Sequence, residues 1–406
     1  MSSPTASEAT LKALGDLAAE AGLRRVHMMA WRDLDDVEAG GSEVHAHNVA
    51  SLWAQAGIEV LLRTSYAAGH PQRVMRNGYE VTRKAGRYMV FPRSVAAELA
   101  GRNGSRDGLV EIWNGVPFMS PLWCRGPRSI WLHHVHGPMW YMTLPPNLSR
   151  LGHILEERIA PRFYRRSPIV TLSNSSRAEL VDELGFKEQR ITVVPPGIDA
   201  KFSPGGTRSL PPMVVAVGRL VPVKDFPRLI EIMVAVHAEV PDAQLVIVGE
   251  GYEREKIESM IRANDAEEWS TLAGRIDDDD LVDLYRSAWA VASTSVREGW
   301  GMTVTEGAAC GTPCVATRIA GHADAVVDGE SGLLGETDDD LVAAIRSVLT
   351  DSGLRRRLSD GALRRGSELS WSATAVGTLR VLAADAMRRR HRRPISAADV
   401  SAGTDG

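Results

Sequence analysis

Ser295-Val296-Arg297-Glu298-Gly299-Trp300-Gly301-Met302-Thr303-Val304-Thr305-Glu306-Gly307-Ala308 leads from a short apolar run, Trp289 to Ala292, into a helical pattern. Gly299 and Gly301 remove side chains where a strand-to-helix turn is tightest. The free N–H groups at Gly301, Met302 and Thr303 then point outward, and the helix dipole adds to their preference for an anion. Glu298 lies just before that anion site and Glu306 on the helix behind it. An anionic ligand explains the glycines, and a ribose diol explains a carboxylate within reach. Taken alone, Glu298 is equally well read as a plain helix-start acid, and Glu306 as a plain surface charge.

A second element upstream weighs against that plain reading. Gly218-Arg219-Leu220-Val221-Pro222-Val223-Lys224 also runs from a strand end into a helix, with a guanidinium and an ammonium in one loop. Arginine grips phosphate through two parallel bonds and lysine acts as a point charge. Each such charge-assisted bond contributes roughly 1.5–3 kcal/mol. Two cations beside a helix N-terminus suit a diphosphate.

Outward from these loops, short apolar runs alternate with helical patterns along the chain. Arg25 to Trp31, Ile58 to Leu62, Val110 to Trp113, Ser129 to His133, Ile169 to Leu172 and Ile191 to Val194 read as strands. Gly40-Gly41 opens a helix with Val49, Leu52, Trp53 and Ala56 on one side. The Pro/Gly-rich stretch from Pro195 to Pro212 reads as a linker, after which Val214 to Val217, Gln244 to Val248 and Trp289 to Ala292 restart the rhythm. Such alternation predicts parallel sheets covered on both faces. The expected fold is α/β, with two Rossmann-like domains facing across a cleft between the carboxyl ends of their strands. Residues 1–200 form the first domain and 201–371 the second, and the last helix, about 372–392, is free to pack on either.

The length of 406 residues suits two such cores. With 44% hydrophobic and 24% charged residues the chain has a globular composition, and a formal net charge of −4 argues against nucleic acid as a partner. Cys124, Cys310 and Cys314 are too few for a disulfide framework and read as small buried residues. The opening residues lack a signal-peptide pattern, and no apolar run is long enough to span a bilayer. The expected location is therefore cytoplasmic. The basic cluster Met387 to Arg393 reads first as a solvated helix end and leaves a contact with the inner membrane face open.

The pattern Glu298-x7-Glu306, continuing to Ala309-Cys310-Gly311-Thr312-Pro313-Cys314-Val315-Ala316, resembles the family four retaining glycosyltransferases of the GT-B fold. The likeness covers most of the chain and is stronger in the second half. It includes Gly40-Gly41-x-Glu43, Ser173-Asn174-Ser175, Val194-Pro195-Pro196-Gly197-Ile198-Asp199, Val217-Gly218-Arg219-Leu220, Val248-Gly249-Glu250-Gly251 and Gly274-Arg275. Trp300 stands where the family usually has Phe, and Pro196 where Asn is common. The resemblance implies that Glu298 meets the donor sugar and Glu306 the ribose. It also implies that Arg219 and Lys224 bind the diphosphate, that Arg275 and Ile276 line the base, and that the Gly41 turn approaches the phosphates from the first domain. In Trp131-Leu132-His133-His134-Val135-His136-Gly137 one histidine corresponds to the residue facing the donor sugar, His134 first and His136 second.

The implied activity is transfer of a sugar from a nucleotide sugar to a sugar, lipid or small-molecule acceptor with retained configuration. The implied catalytic set is Glu298, His134, Arg219 and Lys224, with no cofactor and no metal. A sugar-nucleotide epimerase, a phosphorylase of the same architecture, or a binding protein without catalysis are the alternatives. Asp33-Leu34-Asp35 matches a metal-holding pattern of a different transferase fold that the second-half motifs contradict. Asp277 to Asp280 read as a helix cap. Trp113, Trp123, Trp131 and Trp140 are read as core residues before acceptor-stacking ones.

Overall fold

The apolar runs become strands because each is flanked by helices that cover both of its faces. The structure, a computed structural model, describes residues 4–143 and 145–391. Its first sheet contains β1 (Arg25–Met29), β2 (Glu59–Thr64), β3 (Arg73–Arg76), β4 (Tyr79–Arg83), β5 (Gly108–Trp113), β6 (Arg128–Leu132), β7 (Ile169–Thr171) and β8 (Ile191–Val193). Their order is β3-β4-β2-β1-β5-β6-β7-β8, parallel except for β3 against β4. The second sheet holds β9 (Met213–Val217), β10 (Gln244–Val248), β11 (Ser270–Gly274), β12 (Ala290–Ser293), β13 (Cys314–Thr317) and β14 (Gly332–Gly335). These are ordered β11-β10-β9-β12-β13-β14 and are all parallel. The fold is thus two Rossmann-like α/β domains.

Several elements escaped the sequence reading. The β3–β4 hairpin turns at Asn77-Gly78, both with positive φ (46° and 89°). This is the backbone a two-residue hairpin of matching twist requires, so the dipeptide was the available signal. β11, β13 and β14 are only four or five residues long, and β13 lies inside the motif tail at Cys314.

The final helix, Trp371–His391, packs with the first domain. Trp371, Ala375, Leu379 and Leu382 join Trp53, Leu52 and Trp131 in one core, and the Trp53 indole donates to the Ala375 carbonyl at 3.0 Å. Asp385, buried, accepts the Arg128 N–H at 3.0 Å. The chain therefore crosses between the domains twice, and the crossings touch. A Cβ on Gly197 would lie 2.0 Å from the Trp371 nitrogen, leaving room only for glycine. The basic cluster is partly tied down: Arg388 and Arg389 pair with Asp385, and Arg390 donates to the Glu20 carbonyl at 3.1 Å. Arg392 and Arg393 lie outside the described residues. Among the described residues no helix is long and apolar enough to cross a membrane.

Candidate active site

The carboxyl ends of β9, β10, β11 and β12 open on one edge of the second sheet, and those of β1, β5 and β6 on the facing edge of the first. The 294–301 loop after β12 is stapled from below. Thr294 Oγ1 donates to the Asp225 carbonyl (2.9 Å), the Val296 N–H to Val223 (2.9 Å), and Thr317 Oγ1 to Ser295 (2.7 Å). Its two glycines are required for different reasons. Gly301 has φ 102°, which disfavours any Cβ. Gly299 is an approach between domains: a Cβ there would lie 2.6 Å from the His133 carbonyl oxygen.

Gly301 caps the helix Met302–Ala309 and offers no side chain to its amides. The sulfur of Met302 lies 3.1 Å from where a Cβ on Gly41 would sit, so this helix tip meets the Gly40-Gly41 turn across the cleft. Arg219 reaches the same turn. Its Nε is 3.2 Å from the corresponding position on Gly40, and its Nη1 donates to the Glu38 carbonyl at 3.4 Å. Burial and the nearby Arg32 both lower the Arg219 pKa.

Lys224 Nζ forms an ion pair with Glu298 Oε1, and Ser295 Oγ donates to the same oxygen at 2.8 Å. Burial acts to raise the Glu298 pKa, but Lys224, His322 and Ser295 overcome it and hold the group down to about 2. The glutamate is 17% exposed, an ionised carboxylate open to the cleft. Arg219, Lys224, Glu298, the Gly41 turn and the 301–303 helix tip therefore form one constellation.

The three histidines after β6 part ways. His133 is buried against His45, ring centroids 4.9 Å apart. His136 is held from behind, its N–H donating to Glu156 at 3.0 Å and its ring stacking on His134. His134 faces the second domain. Burial first, then His136, depress its pKa to about 3, with Glu298 pulling the other way. It is a neutral imidazole beside the Glu298 loop.

Glu306 has other company. Tyr285 Oη donates to its Oε2 at 3.2 Å, and burial, with Asp278 and Asp199 against Tyr285 and Lys201, raises its pKa to about 7. Thr303 is half-buried on the first turn of the same helix. Arg275, exposed, and Ile276, half-buried, follow β11 at the same sheet edge, where the Gly249 N–H donates to the Gly274 carbonyl at 2.9 Å.

Three contributors went unread in the sequence. His322 is fully buried, its Nδ1 3.0 Å from the Thr317 carbonyl and its Nε2 3.3 Å from Ser293 Oγ. It supports Glu298 from the start of a short helix, His322–Ala325, 24 positions away, and nothing local marks it. Arg32 sits between Glu38 (3.2 Å) and Glu43 (3.5 Å), beneath the loop that meets Arg219. Glu156 accepts the His136, Gly137 and Trp140 N–H groups. Of the tryptophans raised for acceptor stacking, Trp113, Trp131 and Trp140 are buried, while half-buried Trp123 donates to the Phe118 carbonyl. Asp33 and Asp35 are occupied by Arg76 and Arg83, an arrangement that fastens the 32–39 loop. Asp277 caps its helix, accepting the Asp280 N–H at 2.9 Å.

Comparison with known proteins bears on the family and the fold. A model described as "Glycosyltransferase Family 4" matches residues 39–202, and one described as "Glycosyl transferases group 1" matches residues 198–365. A D-inositol 3-phosphate glycosyltransferase of Acidothermus cellulolyticus is 34% identical over 233 residues, 52% of each chain. A glycogen synthase of Mycobacterium tuberculosis is 30% identical over 61% of this chain and 60% of its own. The chain thus spans little more than half the length of these relatives. The sucrose-phosphate synthase of Thermosynechococcus elongatus shares the fold, with a TM-score of 0.75 at 20% identity over 91% of this chain and 98% of that one. The chain belongs to family four of the glycosyltransferases, with the two-domain GT-B architecture.

Proposed function

We propose that this chain transfers a sugar from a nucleoside-diphosphate sugar to an acceptor hydroxyl with retention of the anomeric configuration. The observation that carries the reading is the convergence of Arg219, Lys224 and the uncapped tip at Gly301 on one cleft, next to an ionised Glu298. Preorganised cations and amides stabilise charge as it accumulates on a departing diphosphate. The anomeric carbon–oxygen bond to the diphosphate breaks, and the acceptor oxygen bonds that carbon from the same face. The acceptor proton passes to the leaving phosphate oxygen. In this reading Glu298 and His134 hold the donor sugar, Glu306 takes the ribose diol, and Arg275 and Ile276 border the base. Met302, Thr303 and Gly41 close on the phosphates, with no metal assigned. A neutral His134 suits this role, because it donates a hydrogen bond to a sugar hydroxyl without adding charge.

Turnover with a panel of nucleotide sugars, followed by nucleotide release and thermal shift, tests the proposal. Release that requires an acceptor supports transfer, whereas donor conversion without one makes the chain an epimerase.

A further inference from the structure

The first domain carries a surface whose chemistry differs from the rest of the molecule. From Pro146 to Tyr164 the backbone runs as one helical rod through Pro146–Ile154, a π-turn at Leu155–Ile159 and Ala160–Tyr164, about 28 Å at 1.5 Å per residue. Its buried stripe is Ser149, Gly152, Glu156, Ala160 and Tyr164. One position before each of four of these sit exposed apolar side chains: Leu148 (49%), Leu151 (60%), Ile159 (40%) and Phe163 (43%). Tyr141 and Met142 add exposed apolar surface, with the Tyr141 ring 5.8 Å from His153 on the rod.

The charge is as lopsided as the hydropathy. Arg150, Arg158, Arg162, Arg165 and Arg166 are all exposed, and none pairs with another described residue. The acids of this stretch are Glu156, which is buried, and Glu157, which faces His153 at 3.2 Å. This local excess stands on a chain of net charge −4. The arginines at the end of the final helix are instead held by Asp385 and the Glu20 carbonyl.

We infer that this rod is a docking surface for a bilayer rich in anionic phospholipid. Apolar side chains beside free guanidiniums on one helical segment are what an interfacial helix presents: the apolar groups enter the acyl boundary and the arginines meet lipid phosphates. A bilayer fits such a surface without a complementary groove. The position gives it a use, which rests on the transferase reading above. Glu156 on the buried side of the rod grips the His136–Trp140 loop, and the Met139–Thr143 turn lies against Pro222–Lys224 of the second domain. The docked face therefore borders the mouth of the cleft, where an acceptor carried on a lipid would arrive.

Flotation of the full chain with vesicles, without donor, tests this. The chain should float with phosphatidylcholine vesicles containing about one-third phosphatidylglycerol and not with pure phosphatidylcholine. The double variants Leu151→Ser/Phe163→Ser and Arg158→Glu/Arg162→Glu should each lose at least about tenfold in binding, with unchanged circular dichroism and an unchanged thermal shift on adding nucleoside diphosphate. Absent flotation of the wild type, or equal flotation of both variants, overturns the proposal. So does a wild-type dimer that Leu151→Ser/Phe163→Ser dissolves, since the face would then bind a second copy. A wild type that floats but shows no nucleotide shift would instead count against the transferase reading alone.

Discussion

Glu298 and Glu306 stand in one motif with seven residues between them, yet the fold shifts their pKa values in opposite directions. The Glu298 loop faces Lys224, His322 and Ser295, and its carboxyl is held near 2. The Glu306 turn, buried beside Tyr285 with Asp278 and Asp199 nearby, has its carboxyl raised to about 7. Burial pushes both upward, and what differs is the company. A carboxylate kept ionised against burial is suited to a permanent electrostatic contact, and one poised near neutrality to a hydrogen bond that forms when a ligand arrives.

The largest expected effect strikes the Glu298 end. Lys224→Ala removes the cation that pairs with Glu298 and, in the proposed reaction, offsets a departing diphosphate. Its turnover should fall by roughly 10²–10³, the usual loss for one preorganised donor, measured by nucleotide release with folding verified. Glu298→Gln keeps the shape and removes the charge. It should cost roughly 10- to 150-fold in kcat/KM, the kinetic equivalent of about 1.5–3 kcal/mol for a charged hydrogen bond. A near wild-type rate in either variant would break the assignment.

Gly299→Ala asks whether the domain contact keeps the Glu298 end closed. Its Cβ would meet the His133 carbonyl at 2.6 Å, so a stability loss of about 1–3 kcal/mol is expected in denaturant titration. The smallest effect belongs to the other end. Glu306 has a folded pKa of about 7, against about 4.3 when unfolded, so the folded state holds a proton that the unfolded chain releases. Its contribution is complete below about pH 4 and is lost as pH rises through 7. Glu306→Gln should therefore match the wild type in Tm at low pH and exceed it by a growing margin as pH rises through 7. A gain that is flat across pH would show that Glu306 is already ionised when folded.

Much of the frame was legible beforehand because it is local. Strand-then-helix rhythm follows from apolar spacing, and the Gly299/Gly301 turn and the Arg219 and Lys224 loop each lie within a few residues of sequence. The parts not read depend on long-range packing. His322 reaches Ser293 and the Glu298 environment from the start of a separate helix, and Arg32 comes from the first domain. The β3–β4 hairpin shows the converse, a local signal at Asn77-Gly78 that was present and passed over.

By itself, then, the sequence determined the two-domain α/β class and the set of charged groups at the strand ends, since backbone geometry and hydrophobic periodicity act over short spans. Only the tertiary structure decided which of His133, His134 and His136 lies by the cleft, which glutamate stays ionised, and which domain receives the final helix. Desolvation and Coulomb interaction depend on distances between segments far apart in the chain, and folding alone sets those distances.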